Sequence, residues 1–447
     1  MPETTQDLTT GPVWRALARL TGPMVIGILS VLSVGLADAY FLGQLGSAPL
    51  AAVGFIYPVT AAVTSLSIGL SAGANATVSQ AIGAERDPNR IGLHAVGLGL
   101  ALSLIVAGAM FAGYPWLFGL LGAQEDAAAE IALFMPWWCA SFPFLVVQMQ
   151  ASALFRAHGS SVAPAVLMTL SAVVNIGFDP LLIFTAGMGT EGAALATFIA
   201  RASATVLAIG YALHKGILVW CGQVTKNLWW STKELFAVGG PAAFSNAINP
   251  AGMAAVTAAV ATLGTEAVGG FGAATRVQQI ALVPMLALSS GIGPVVGQNW
   301  GADRRDRAAQ GLQAALAFCL AYGAAVGLAL FVFAQPFAQV LTSGGAPAEY
   351  AALYMRIVGW SLFGYGFVVV TNAAMNARSK AAWSMVLSVS RTFALYLPLA
   401  WIGVSAFDFT GITLAAVTAN VAAGAVGLLF AYKTGLLRPR RLGETFA

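Results

Sequence analysis

Polar and charged positions divide this chain into long apolar runs. Twelve runs of 23 to 30 residues lie at 15–42, 50–79, 92–114, 130–153, 163–186, 191–213, 235–261, 268–296, 311–333, 350–374, 382–404 and 411–433. Each meets or exceeds the ~20 apolar residues that a helix needs to cross a hydrocarbon core. None shows the ten-residue alternation of an outer-membrane strand. The pattern predicts an all-α integral membrane protein with twelve transmembrane helices.

The pattern also repeats, at an offset of 218 to 221 residues. Gln80-Ala81-Ile82-Gly83-Ala84 aligns with Gln298-Asn299-Trp300-Gly301-Ala302, Ala132-Leu133-Phe134-Met135 with Ala352-Leu353-Tyr354-Met355, and Pro180 with Pro398. Each repeat holds six spans. Six is even, so the repeats share one membrane orientation and are related by an axis along the membrane normal. The expected organisation is an N-terminal lobe over 1–213, an interlobe linker over 214–233 and a C-terminal lobe over 234–447. Two such lobes are a transporter architecture, with a passive channel or a receptor as the bland alternative.

Charge then orients the spans. The segments after even-numbered spans hold Arg86, Arg90, Arg156, Lys215, Lys226, Lys233, Arg304, Arg305, Arg307, Arg378 and Lys380. The C-terminal tail adds Lys433, Arg438, Arg440 and Arg441. The segments after odd spans hold Glu125, Asp126, Glu130, Glu191, Glu266, Glu349 and Asp408, and only Arg356 breaks the pattern. The positive-inside rule then places both termini in the cytoplasm. Over the whole chain 9% of residues are charged, against roughly 25% in soluble domains, and the net charge of +4 reflects these loops rather than a nucleic-acid partner. Cys139, Cys221 and Cys319 form neither a disulfide framework nor a metal motif. His94, His158 and His214 fall near cytoplasmic span ends. No phosphate-binding glycine loop, catalytic triad or metal-ligand grouping is present, so neither direct ATP use nor an enzyme is indicated.

Two acids lie inside apolar runs: Asp38 in span 1 and Asp179 in span 5. A carboxylate in hydrocarbon costs a few kcal/mol and marks a functional site facing a cavity. The repeat acts as an internal control: Asp38 aligns with Val256 and Asp179 with Leu397, so a cation site confined to the N-terminal lobe is expected. Asp38, Asp179 and Thr197 of span 6 all fall roughly 6–11 Å below one membrane boundary. Asn175 shares a helix face with Asp179. Such a layer would hold H⁺ on a coupled carboxyl pair, or Na⁺ at Asp38 and Asp179. Pro23 is a candidate hinge in span 1, since an internal proline removes a helix hydrogen bond. In the second half Ser245, Asn246 and Asn249 on span 7 and Asn372 and Asn376 on span 10 supply neutral polar groups, for a cavity or for helix packing. Arg201, Arg276 and Arg391 lie within spans, with roles the sequence leaves open; Arg276 joins the candidate cavity set.

These residues resemble those of the multidrug and toxic compound extrusion (MATE) family over nearly the whole chain. The most specific pieces are Pro23 with Asp38, Asn175-x-x-x-Asp179-Pro180, and Thr197 in Gly192-Ala-Ala-Leu-Ala-Thr197, a set similar to that of the prokaryotic DinF-like branch. The resemblance implies the MATE fold, a coupling-cation site at Asp38, Asn175, Asp179 and Thr197, and bending at Pro23. Spans 7 and 10 lack the acids that the NorM-like branch carries there. The implied function is cation-coupled antiport, with H⁺ favoured over Na⁺, exporting amphipathic organic compounds by alternating access. The expected setting is the bacterial or archaeal cytoplasmic membrane, with no cofactor and a monomer in the bilayer. A flippase for lipid-linked precursors is the runner-up, kept open by Arg201, Arg276 and Arg391.

Overall fold

A computed structural model describes residues 6–220, 225–342 and 344–437; Cys221 and the tail arginines Arg438, Arg440 and Arg441 lie outside the described residues. The described chain is helical throughout, without strands. The first repeat comprises α1 (Val13–Leu45), α2 (Ser47–Gly83), α3 (Asn89–Leu120), α4 (Glu125–Ala157), α5 (Val162–Pro180) with a π-helical turn (Leu181–Thr185), and α6 (Gly189–His214). The second comprises α7 (Leu228–Ala261), α8 (Thr265–Gly301), α9 (Arg305–Thr342), α10 (Gly345–Val358) continued through a 3₁₀ turn into α11 (Leu362–Ala377), then α12 (Ala381–Val389), a π-helical segment (Ser390–Tyr396) and α13 (Leu397–Lys433).

Among the described residues, ten helical stretches are long and apolar enough to span a membrane. One of them, Ala381–Lys433, is broken at Phe407 and Asp408, where φ reaches 51°, and so supplies two spans. α7 is absent from the ten because Asn246, Asn249, Pro241 and Pro250 dilute its apolar character, yet its 34 residues suffice in length. With the broken stretch counted twice and α7 added, the described chain accommodates twelve crossings.

The repeat in sequence is a repeat in backbone. Glu85 and Asp303, 218 positions apart, both take left-handed conformations with φ 55°. The amides of Arg86 and Arg304 both donate back to the carbonyls of Ala81 and Asn299, at 2.8 Å each.

The chain forms two compact units, whose limits differ from the expected lobes. Among the described residues, unit 1 comprises 6–7 and 22–243, and unit 2 comprises 8–21 and 244–437. The first turns of α1 therefore belong with the second repeat, and the first turns of α7 with the first. Hydropathy marks where a helix lies but not which helices it packs on. In unit 1, Gly69 and Gly73 of α2 receive Ala243, Leu235 and Gly239 of α7 in direct backbone contact. In unit 2, Gly291 of α8, the repeat equivalent of Gly73, meets Leu20 and Thr21 of α1.

Unit 2 also grips the segment before α1. Gln298 Oε1 accepts from the Leu8 amide at 3.0 Å, and Asn299 Nδ2 donates to the Leu8 carbonyl at 3.0 Å. Arg304 donates to the Thr9 carbonyl at 2.7 Å, and Arg307 to those of Thr10 and Gly11 at 3.0 and 2.9 Å.

In unit 1 the buried His158 follows the end of α4. Its Nδ1 donates to the Leu154 carbonyl at 2.9 Å, and its own carbonyl accepts from the Gln6 amide at 3.0 Å. Burial holds the imidazole below the ordinary histidine range. The unfolded chain then binds the proton more readily, so this contribution to stability is complete above about pH 6.5 and is lost as pH falls below it. The thermal midpoint of the purified protein is expected to drop on acidification in this window, and His158→Gln to flatten that slope; an unchanged slope in the variant would refute the assignment.

Candidate cation site

The site residues converge within unit 1 on α1, α5 and α6. Pro180 lacks an amide hydrogen, so α5 cannot continue its regular ladder, and the chain passes into the π turn Leu181–Thr185. Its closing bonds are long-range for a helix: the Ala186 amide donates to the Leu181 carbonyl at 2.8 Å, and Met188 to Leu182 at 3.1 Å. π turns in helices occur frequently at functional sites. α6 returns immediately alongside. Gly192 permits that approach, because a Cβ there would stand 2.7 Å from the Leu182 carbonyl carbon.

This packing sets Asn175 opposite Thr197, with Nδ2 donating to Thr197 Oγ1 at 3.2 Å. Thr197 Oγ1 in turn donates to the Ala193 carbonyl at 3.1 Å. Asp179 is fully buried, one turn beyond Asn175. Its carboxyl group faces that of Asp38 closely enough for the two to interact directly. Among the described residues, no donor satisfies either oxygen of Asp179, Oδ1 of Asp38 or Oδ1 of Asn175, and all four atoms are buried. Four buried acceptors without donors are groups that a proton or a hard cation would satisfy.

The structure adds a residue whose role the sequence left open. Arg201 lies one turn beyond Thr197 on α6, and its charge acts on Asp38. Ser141 of α4 fixes the guanidinium by accepting from Nη1 at 2.7 Å. The i,i+4 spacing of Thr197 and Arg201 was the available signal; the contribution from α4 had none. Pro23 lies in α1, two residues past the point where that helix passes from unit 2 to unit 1. The 218-residue offset places Pro23 on Pro241 and Gly22 on Gly240, so α7 carries the same Gly-Pro pair close to its own crossing between units.

In unit 2, Ser245, Asn372 and Asn376 bond across helices. Asn372 Nδ2 donates to Ser388 Oγ at 3.0 Å, which also accepts from Ser245 at 2.6 Å. Asn376 Oδ1 accepts from Ser384 at 2.6 Å. Asn246 is partly buried, while Asn249 and Arg276 are exposed. Arg391, in the second π-helical segment, stacks 4.5 Å from the Tyr365 ring centroid and donates to Asn420 Oδ1 at 2.9 Å. Among the described residues, no group of three or more His, Cys, Asp or Glu gathers as a metal site.

Comparison with known proteins agrees across the chain. The MatE family model matches residues 23–181 and 241–402, two segments that begin at the repeat-equivalent prolines. A protein of Shewanella oneidensis named FAD transporter is 34% identical, covering 93% of this chain and 94% of its own. Multidrug export protein MepA of Staphylococcus aureus is 24% identical, covering 97% and 96%. The Vibrio cholerae MATE transporter VcmN, solved in a bent form, superimposes with a TM-score of 0.90 at 30% identity, covering 97% of this chain and 98% of its own. With the family model matched in both repeats, the chain belongs to the MatE family of multidrug and toxic compound extrusion transporters, membrane proteins that are not enzymes.

Proposed function

We propose that this transporter is an antiporter of the cytoplasmic membrane that couples H⁺ entry to export of amphipathic organic compounds by alternating access. The observation that carries the reading is the facing pair Asp38 and Asp179, with buried oxygens that lack donors. With both acids ionised and Arg201 charged, the cluster carries one net negative charge. One proton neutralises it, which fits a single coupling ion per cycle. A shared proton needs only the two carboxyl groups. Na⁺ needs a fuller oxygen shell, and Thr197 Oγ1 is already bonded to Asn175 and Ala193. Neutralisation at Asp38 would act on α1, which contains Pro23 as its hinge. One charge moving down the membrane potential supplies about 2.3 kcal/mol per 100 mV, enough for a roughly fifty-fold substrate gradient. The basic segments favour cytoplasmic termini.

The relative named FAD transporter favours a flavin dinucleotide as one exported compound. The flippase reading loses support from the arginines. Arg201 and Arg391 are engaged by Ser141 and Asn420, and Arg276 is exposed elsewhere in the chain. The test is transport by proteoliposomes of a fluorescent organic cation and, separately, of FAD, under an imposed pH gradient or an imposed Na⁺ gradient. Movement driven by the pH gradient alone is expected. Drive by Na⁺ alone would overturn the choice of ion, and no movement under either gradient would overturn antiport.

A further inference from the structure

The two repeats use the same turn differently. In unit 2 the α8–α9 turn and the start of α9 hold the backbone of residues 8–11 through Gln298, Asn299, Arg304 and Arg307. In unit 1 the equivalent turn is α2–α3, where the offset places Arg86 on Arg304. The segment equivalent to 9–11 is 227–229, at the start of α7. Here a cleft of about 410 Å³ separates the partners, with Arg86, Asp87 and Arg90 on one side and Asn227, Trp230 and Ser231 on the other.

Two guanidinium groups line it. The Arg86 guanidinium stacks 5.9 Å from the Trp230 ring centroid, within the range of a cation–π contact. Arg90 Nε is buried without a hydrogen-bond partner. Asp87 Oδ1 accepts from the Asn89 amide at 3.0 Å, so that carboxylate is committed to the start of α3. Glu234, one turn beyond Trp230, interacts electrostatically with Arg86.

Depth identifies the kind of anion. Trp229, beside the cleft, is 81% exposed and Trp230 42%. Tryptophans so placed at the end of a transmembrane helix sit at headgroup level. A guanidinium matches the oxygens of a phosphate with a planar fork of donors. Basic pockets at such helix ends hold anionic headgroups. We propose that this cleft binds the phosphate headgroup of an anionic phospholipid, in the leaflet bordering the basic ends of the helices.

The test is lipid retention by the full-length protein purified in neutral detergent. The protein is titrated with dioleoylphosphatidylglycerol or dioleoylphosphatidylcholine, and bound lipid is counted by native mass spectrometry. Phosphatidylglycerol is expected to be retained in preference to phosphatidylcholine. Arg86→Gln with Arg90→Gln is expected to weaken its binding roughly 30-fold, about fivefold for each charge near an anionic surface. Trp230→Ala, which keeps both charges and removes the platform under Arg86, is expected to weaken it about threefold, and provides the reading if the double variant does not survive purification. Equal retention of the two lipids, or wild-type phosphatidylglycerol binding in a variant that survives, would overturn the proposal. Displacement of the lipid by millimolar inorganic phosphate would show a soluble-anion site and overturn it equally.

Discussion

Asp38→Asn is expected to reduce gradient-driven transport in proteoliposomes to the level of liposomes without protein, while the variant is made and purified as well as wild type. The outcome follows from what asparagine keeps and loses. It keeps the shape of the side chain and a polar group, so helix contacts persist. It loses the ability to bind and release a proton, and it leaves Asp179 facing a neutral amide beside Arg201. The cluster is then neutral with no ion bound, so loading a cation would leave it with one net positive charge instead of neutralising it. Burying a carboxylate costs a few kcal/mol that a neutral amide does not incur, so thermal stability is expected to hold or rise. That sign separates the coupling role from interhelical glue, for which removal of the acid would destabilise. Asp179→Asn is expected to behave alike, and the double variant to lose no more than either single one, because the two act as a unit. Wild-type coupled transport in Asp38→Asn would end the proposal for this site.

The second large effect is structural. Gly69 and Gly73 are four apart on α2, the spacing of close helix pairs in membranes, and α7 lies directly against both. A Cβ on Gly69 would overlap the backbone of Ala243, and one on Gly73 would stand 2.5 Å from the Leu235 carbonyl oxygen. Backbone atoms cannot step aside as a flexible side chain can. Gly69→Leu must force the helices apart, and the cost is expected to exceed the 1–3 kcal/mol of ordinary overpacking. Size-exclusion chromatography after detergent extraction should show loss of the monodisperse peak. Gly97→Leu, on a surface of α3 where a Cβ meets nothing within 4 Å, should purify normally. A monodisperse Gly69→Leu protein with an unchanged thermal midpoint would show that this contact does not hold α2 and α7 together.

The acids of the candidate site were legible in the sequence because hydrocarbon makes a charge conspicuous. Asp38 and Asp179 stand out in apolar runs whatever their neighbours, and the repeat shows them to be peculiar to one half. The contact between Asn175 and Thr197 followed from depth along two adjacent helices. Arg201 was visible but not its partners, since Ser141 comes from a helix sixty residues earlier and no periodicity announces it. Spacing on α11 announced neither Ser388 nor Ser384 as the partners of Asn372 and Asn376, because both come from the following helix. The π turn after Asp179 had only Pro180 as a hint, because π and α segments share composition. The unit limits are not in the hydropathy pattern for a related reason. A hydropathy profile records how long a helix remains apolar and contains nothing about a change of neighbours partway along it.

That change of neighbours constrains how such a molecule can arise from a shorter gene. A single ancestral repeat would begin with a helix whose opening turns have no place in their own six-helix body. Two copies could bury those turns only by exchanging them, so the ancestor would have been an obligate swapped dimer. Fusion would then fix the exchange within one polypeptide. For the same reason, fragments cut at the connection between α6 and α7 are not two self-sufficient proteins. Each retains the opening turns that complete the other, and they would have to assemble together during synthesis.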